Sequence, residues 1–458
     1  MDSNLQKLDG MPASKAVLSN VLPAMIGMIM ALVYNMADLF FIGKTGDPLQ
    51  TAAISLATPI FLVFMSAGNI FGIGGASIIS RSLGAGDKKL VSKISSFCFW
   101  SVIVIGIILT GVMLFNMETI VQALGASPSV APMVNEYLSI FSISGVFVLI
   151  SSCFSGLVRA EGNAAKSMMG MLIGNVVNII LDPIFILGFN LGVQGAALAT
   201  LIGNVCGAVY YFIYLFRKNT LLSINIKNFT MSEGIFKNVM LIGIPASLAS
   251  ILMSVSQIIV NGKMAEYGDL AVAGIGVGMR VTMITSMLCI GIGMGVQPLL
   301  GYAIGAKNHK RYKELFNFAM AFALSISGIL TVLCYLGLEQ IVGSFVTDPA
   351  AFEYAYKFSQ ILLSTAILFG VLNVIVNALQ AAGAATASLI VNVSRQGLVF
   401  IPLVYILGGT LGIYGIVMAQ PIADDTAITI AIILYIRTNK KIFQEHNVES
   451  KDSSIVSA

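Results

Sequence analysis

An all-α integral membrane fold, with twelve transmembrane helices in two pseudo-symmetric six-helix lobes around a central cavity, is predicted by three observations on this sequence. Its residues are 57% hydrophobic and 10% charged, where about a quarter of an ordinary soluble chain is charged. Twelve apolar runs are long enough to cross the roughly 30 Å hydrocarbon core as helices of about 20 residues. The chain also repeats itself: Gly84-Ala85 returns as Gly305-Ala306 and Gly162 as Gly383, each 221 residues on. Pro23 returns as Pro245, and Gly192-x-x-Gly195 as Gly412-x-x-Gly415. Alternating strands of about ten residues, the barrel signature, are absent.

The spans are read at 17–41, 52–80, 94–115, 134–158, 164–188, 192–216, 237–262, 271–301, 315–338, 354–381, 385–408 and 412–436. The first is full length and follows a 16-residue stretch that is polar overall, so no cleavable signal peptide is expected. Span two carries Gly68, Gly72, Gly74 and Gly75, and span eight Gly291, Gly293 and Gly295. Small residues at that spacing let transmembrane helices approach closely. A nucleotide-binding glycine loop needs a preceding strand, which is missing. After span six the polar stretch 217–236 reads as a linker, dividing the chain into an amino-terminal lobe (1–216), a carboxy-terminal lobe (237–436) and a tail (437–458). Six spans per half put both copies into the membrane in the same sense, related by an axis along its normal. Two such bundles can expose one site to either side in turn, which points to a carrier.

Of 25 Lys and Arg, 20 fall in segments that are cytoplasmic if both termini are inside. Three (Lys44, Lys263 and Lys357) fall outside, and Arg280 and Arg395 lie within spans. That bias orients the chain with cytoplasmic ends. The net charge of +4 is then a matter of topology, and nucleic acid is not an expected partner. The five cysteines all lie in spans and read as small buried side chains, not disulfide partners. With only His309 and His446, a His/Cys metal site has nothing to be made from.

Four acids sit at membrane depth: Asp38, Asp182, Asp424 and Asp425. Each costs about 2.5–3.5 kcal/mol on insertion scales at a helix centre, so each needs a reason. Asp38 and Asp182 share an outer-half level. Asn175, Asn178 and Asp182 line one face of span five, and Tyr34 and Asn35 share the face of Asp38. Thr200 reaches a similar depth in span six. Pro183 deprives the Ile179 carbonyl of its helical donor. These all-oxygen groups suit a hard cation such as Na⁺, and the same cluster can hold a proton. Two carboxylates joining helices by hydrogen bonds alone is the blander alternative. Asp424 is at a depth to pair with Arg395, and adjacent Asp425 must face about 100° away from it. Arg280 either faces the cavity or reaches a carbonyl.

The chain resembles the multidrug and toxic compound extrusion (MATE) family, and within it the MepA-type pumps of the DinF-like branch. The resemblance rests on Pro23 and Pro245, on Ser80-Arg81-Ser82-Leu83-Gly84-Ala85-Gly86, on Arg159-Ala160-Glu161-Gly162-Asn163 and on Gln420-Pro421-x-x-Asp424. It implies antiport, with H⁺ or Na⁺ entering at Asp38, Asn178, Asp182 and Thr200 to drive export of lipophilic, often cationic drugs. It also implies a multi-pass protein of the plasma membrane that works as a monomer among lipids, without cofactor or enzymatic activity. Where another branch has acids in helices seven and ten, this chain has Gln257, Asn261, Asn373 and Asn377. A carboxy-lobe cation site is therefore not expected, and these residues, with Arg280 and Asp424, are candidates for the substrate cavity. The alternative function is a lipid-linked oligosaccharide flippase of the same superfamily.

Overall fold

In lipid every backbone N–H and C=O must be satisfied within the segment, so apolar runs of this length fold as helices. The computed structural model describes residues 4, 9–217, 220–232, 234–346 and 348–456, with side chains given up to 442. Lys7 and Lys218, counted above as inner, lie outside the described residues, as does the side chain of Lys451.

In the amino-terminal half the spans are α1 (Ala13–Gly43), α2 (Pro48–Gly84), α3 (Lys88–Phe115), α4 (Ala131–Ala160), α5 (Ala164–Gly188) and α6 (Gly192–Leu215). They are followed by α7 (Ile235–Ala265), α8 (Asp269–Gly305) and α9 (His309–Leu336). A pair of helices, Pro349–Leu363 and Ala366–Ala381, bends by 45° and forms α10. The stretch Ala385–Ile442 turns at Gly412, whose φ of +65° is non-helical, and so divides into α11 (385–411) and α12 (413–442). Twelve spans result among the described residues.

The internal repeat extends to details that hydropathy does not register. Asp87 caps α3 by accepting the Leu90 N–H at 2.9 Å, and Asn308 caps α9 through the Arg311 N–H at 3.0 Å. Each satisfies a donor that the first turn leaves free. Short connecting helices, Met117–Ala123 and Leu338–Phe345, begin 221 residues apart. Gly192 and Gly412 both adopt positive φ, +51° and +65°. That conformation favours glycine, which explains why the motif returns.

Two compact units emerge. One comprises Met1–Asn4, Ile26–Ser82 and Asp87–Ser247, the other Leu5–Met25, Leu83–Gly86 and Leu248–Ala458. The chain changes unit inside α1 and inside α7, two residues beyond Pro23 and Pro245 in each case. Glycines make these attachments tight. In the first unit, a Cβ on Gly74 would lie 2.3 Å from the Val239 carbonyl oxygen, and Ser247 donates to the Ser66 carbonyl at 2.9 Å. In the second, Gly291 lies against Met25 and Gly295 against Val21.

The polar stretch after α6 is not a free linker. Along α3, the hydroxyls of Ser92, Ser95 and Ser96 donate to the carbonyls of Leu221, Ser223 and Asn225. Trp100 Nε1 donates to that of Ile224 at 3.2 Å. Glu161, in the turn after α4, is buried and accepts from the Tyr214 hydroxyl (2.6 Å), the Thr220 hydroxyl and the Leu221 N–H. Burial raises the Glu161 carboxyl above its ordinary range, and these hydrogen bonds pull the other way. A stretch chosen for its polarity is thus consumed by hydrogen bonds to the amino-terminal unit.

Candidate functional site

The site in the amino-terminal unit starts from how α5 and α6 meet. A Cβ on Gly203 would lie 2.6 Å from the Gly174 carbonyl oxygen, and one on Gly170 would lie 2.3 Å from the Tyr211 ring. Glycine at these positions brings the two helices together. Asn178 Nδ2 then reaches Thr200 Oγ1 at 3.3 Å. Four residues further along α5, Asp182 is fully buried, and Pro183 opens a π turn, Pro183–Gly188. Such turns interrupt the regular backbone ladder, and they recur at functional sites.

From α1, Asp38 lies within electrostatic reach of Asp182, and Tyr34 within reach of both acids and Thr200. Tyr137 of α4 closes the same group. Asp38, Asn178 and Thr200 are all at least nine-tenths buried. Among the described residues, Asp38 Oδ1, Asn178 Oδ1 and both Asp182 oxygens are buried without a hydrogen-bond donor. Buried acceptors are normally paired, and each left unpaired costs about 1–3 kcal/mol, more when charged. A cluster of acceptors short of donors is what a cation or a proton would satisfy. The adjoining cavity is about 70 Å³, lined by Tyr34, Phe61, Asn175, Asn178, Thr200 and Asn204. Drug-sized ligands occupy about 300–1,000 Å³, so this space suits an ion or water.

Asn35 does not join the group. It is exposed, and its amide donates to the Ala31 carbonyl at 2.7 Å. Three residues from Asp38 on a helix places a side chain nearby, but not necessarily on the buried side. Asn175 lines the cavity without touching the carboxylates through any hydrogen bond among the described residues. Sequence reasoning missed Tyr137 and Asn204. Asn204 was within reach, being one turn from Thr200, to whose carbonyl it donates at 2.9 Å. Tyr137 gave no signal, since a tyrosine in a membrane helix is ordinarily packing.

In the carboxy-terminal unit the candidates do not form one hydrogen-bonded group. Gln257 Nε2 lies 3.4 Å from the Met279 sulfur, and Asn261 is exposed. Arg280 is exposed with its guanidinium over the Phe345 ring, 5.8 Å from the centroid. Asn373 and Asn377 donate to carbonyls one turn back on α10, those of Phe369 and Asn373. Asp424 pairs with Arg395, Oδ1 to Nε at 2.6 Å, and also accepts from Gln420 Nε2 at 2.9 Å. Arg395 lies in a second π turn, Ser394–Leu398, which accepts a hydrogen bond from Ser256 at the Gln396 carbonyl. Asp425 is exposed.

Comparison with known proteins agrees in sequence and in shape. The MatE family model matches residues 23–184 and 245–406, one stretch in each half of the repeat. The multidrug export protein MepA of Staphylococcus aureus strain MRSA252 is 33% identical over 440 residues, covering 95% of this chain and 96% of that protein. MepA of Staphylococcus saprophyticus is 32% identical over 436 residues, with the same coverage. A multidrug resistance MATE family transporter of the MOP superfamily, solved in an outward-facing conformation, superposes with a TM-score of 0.88 at 25% identity, covering 96% of this chain and 98% of that one. A MOP superfamily transporter from Pyrococcus furiosus gives 0.88 at 25% identity, with coverage of 95% and 97%.

Proposed function

Since the chain belongs to the MatE family, we propose that it is a secondary-active multidrug efflux antiporter, exporting lipophilic, often cationic compounds in exchange for H⁺ or Na⁺ by alternating access. The observation that carries this reading is the set of buried, donor-poor oxygens on Asp38, Asn178 and Asp182. Two carboxylates held together at low dielectric repel each other while both are charged. A proton or Na⁺ entering between them removes that repulsion and satisfies the orphaned acceptors. In this protein Asn178 and Thr200, bonded to each other at 3.3 Å, would complete the ligand set beside the two carboxylates.

Coupling follows from charge. A cationic drug and an entering cation compete for the same negative field, so loading the ion weakens the drug's hold. An ion moving inward down 100 mV supplies about 2.3 kcal/mol. The element that responds is α1, which carries Asp38 and changes compact unit just after Pro23. The bias of Lys and Arg toward one set of connecting segments supports an orientation with both termini inside, and the reading takes the protein as a monomer of the plasma membrane. Substrates are bound and released unchanged, so no enzymatic step is involved.

The test is export of ethidium from proteoliposomes under a proton gradient and, separately, a sodium gradient, with Asp38→Asn as control. Export driven by one gradient and lost in the variant identifies the coupling ion. Export under neither overturns the antiport reading and favours flipping of a lipid-linked sugar.

A further inference from the structure

Arg395 is the one membrane-depth cation bonded to a carboxylate among the described residues, and only part of its hydrogen-bonding capacity is used. It lies ten residues into α11 from Ala385, roughly 15 Å along the helix, near the middle of the hydrocarbon. Its Nε donates to Asp424 Oδ1 at 2.6 Å. The guanidinium carbon stands 4.4 Å from the centroid of the Phe369 ring. Asp424 is itself held by Gln420 Nε2 at 2.9 Å and by the Thr365 hydroxyl, 3.5 Å from Oδ2, at the bend of α10. The guanidinium is therefore fixed on one edge and one face. Its Nη1 and Nη2 make no hydrogen bond among the described residues, and the side chain retains 19% exposure. A planar fork held rigidly with its Nη edge open is the geometry that receives an oxyanion in two parallel hydrogen bonds.

The depth and the charge of this edge narrow the ligand. A lipid phosphate sits at the membrane surface, about half the hydrocarbon thickness away. Asp424 already neutralises Arg395, so a singly charged anion would leave an uncompensated charge at low dielectric, which is expensive. A molecule that carries a carboxylate and is neutral overall brings none. We propose that Arg395 recognises the carboxylate of zwitterionic lipophilic substrates through its Nη edge, with Phe369, Asp424 and Gln420 as positioning residues. This deepens the export reading and rests on it. It gives the carboxy-terminal unit an anion-recognising contact where the amino-terminal unit has a cation site.

The probes are Nε-dansyl-lysine, a fluorescent zwitterion, and its methyl ester, a cation of nearly the same shape. Each is loaded into phosphatidylcholine proteoliposomes of the full chain, and the half-saturating concentration for export is measured. Arg395→Gln is expected to raise that concentration for the acid about tenfold or more, the range for a charge-assisted hydrogen bond, and to leave the ester within about twofold. Arg395→Lys keeps the charge beside Asp424 but loses the fork, so it too should weaken the acid selectively.

Equal loss of acid and ester in Arg395→Gln, with both restored by Arg395→Lys, would mean that the ion pair only holds helices together and would overturn the proposal. So would a wild-type protein that exports the ester and not the acid. An acid effect that disappears when phosphatidylglycerol replaces part of the lipid would assign the edge to a lipid phosphate, again against the proposal. Failure of ethidium, acid and ester alike under every gradient would instead overturn the export reading itself.

Discussion

At the scale of single residues, the amino-terminal site is defined by an imbalance between acceptors and donors. Asp38→Asn and Asp182→Asn each remove one charge while keeping shape, so both are expected to abolish drug export while the protein is expressed and folded, as drug resistance of cells and membrane yield will record. Wild-type resistance in either variant would end the coupling role. The Arg395–Asp424 pair allows a different test. Asp424→Ala alone strands a guanidinium, at a cost below the about 3–5 kcal/mol of a fully buried pair because Arg395 retains 19% exposure. Removing both partners, as Arg395→Met with Asp424→Leu, should cost less than the single change, measured as thermal unfolding in detergent. Carboxylates and amides at a common depth were legible in the sequence because charge in an apolar run is conspicuous. Tyr137 was not, and neither was the outward turn of Asn35, since three- and four-residue spacing specifies a helix face without saying which neighbour covers it.

At the scale of elements, glycine decides where helices touch. Gly203→Leu would drive a side chain into the Gly174 backbone and part α5 from α6. Overpacking of this kind costs about 1–3 kcal/mol, and the separation should uncouple Asn178 from Thr200. The expected result is a folded protein whose ion-driven export is lost, read from ethidium efflux against ion concentration. The docked stretch after α6 gives another prediction. Trp100, the only tryptophan, donates to the Ile224 carbonyl. Ser95→Ala with Ser96→Ala should release that stretch and expose it to limited proteolysis, with unchanged digestion counting against the docking. The helices themselves were legible, but their ends were not. α2 and α8 each run 37 residues, well beyond their apolar cores, because helical hydrogen bonding continues past the lipid where hydropathy falls. The two π turns and the bend of α10 left no trace in apolar periodicity either, since each changes the backbone without changing the composition.

At the scale of the whole molecule, the repeat read from four glycine and proline motifs extends to caps, connecting helices and left-handed turns. The compact units do not divide at the boundary between the two copies. Leu5–Met25 belongs with the second unit, and the first part of α7 through Ser247 with the first. Severing the backbone within 220–232 therefore yields two fragments, neither of which contains a complete unit. Expressed alone, each fragment is expected to be degraded. Expressed together, they should restore ethidium resistance, and activity from either fragment alone would contradict the division. The same arrangement constrains ancestry. A single six-helix forebear, before its gene was doubled, would have lacked the opening stretch of its own first helix and had to borrow it from a sister copy. On this view fusion did not create the partnership between the halves. It made permanent an exchange that two identical chains already required.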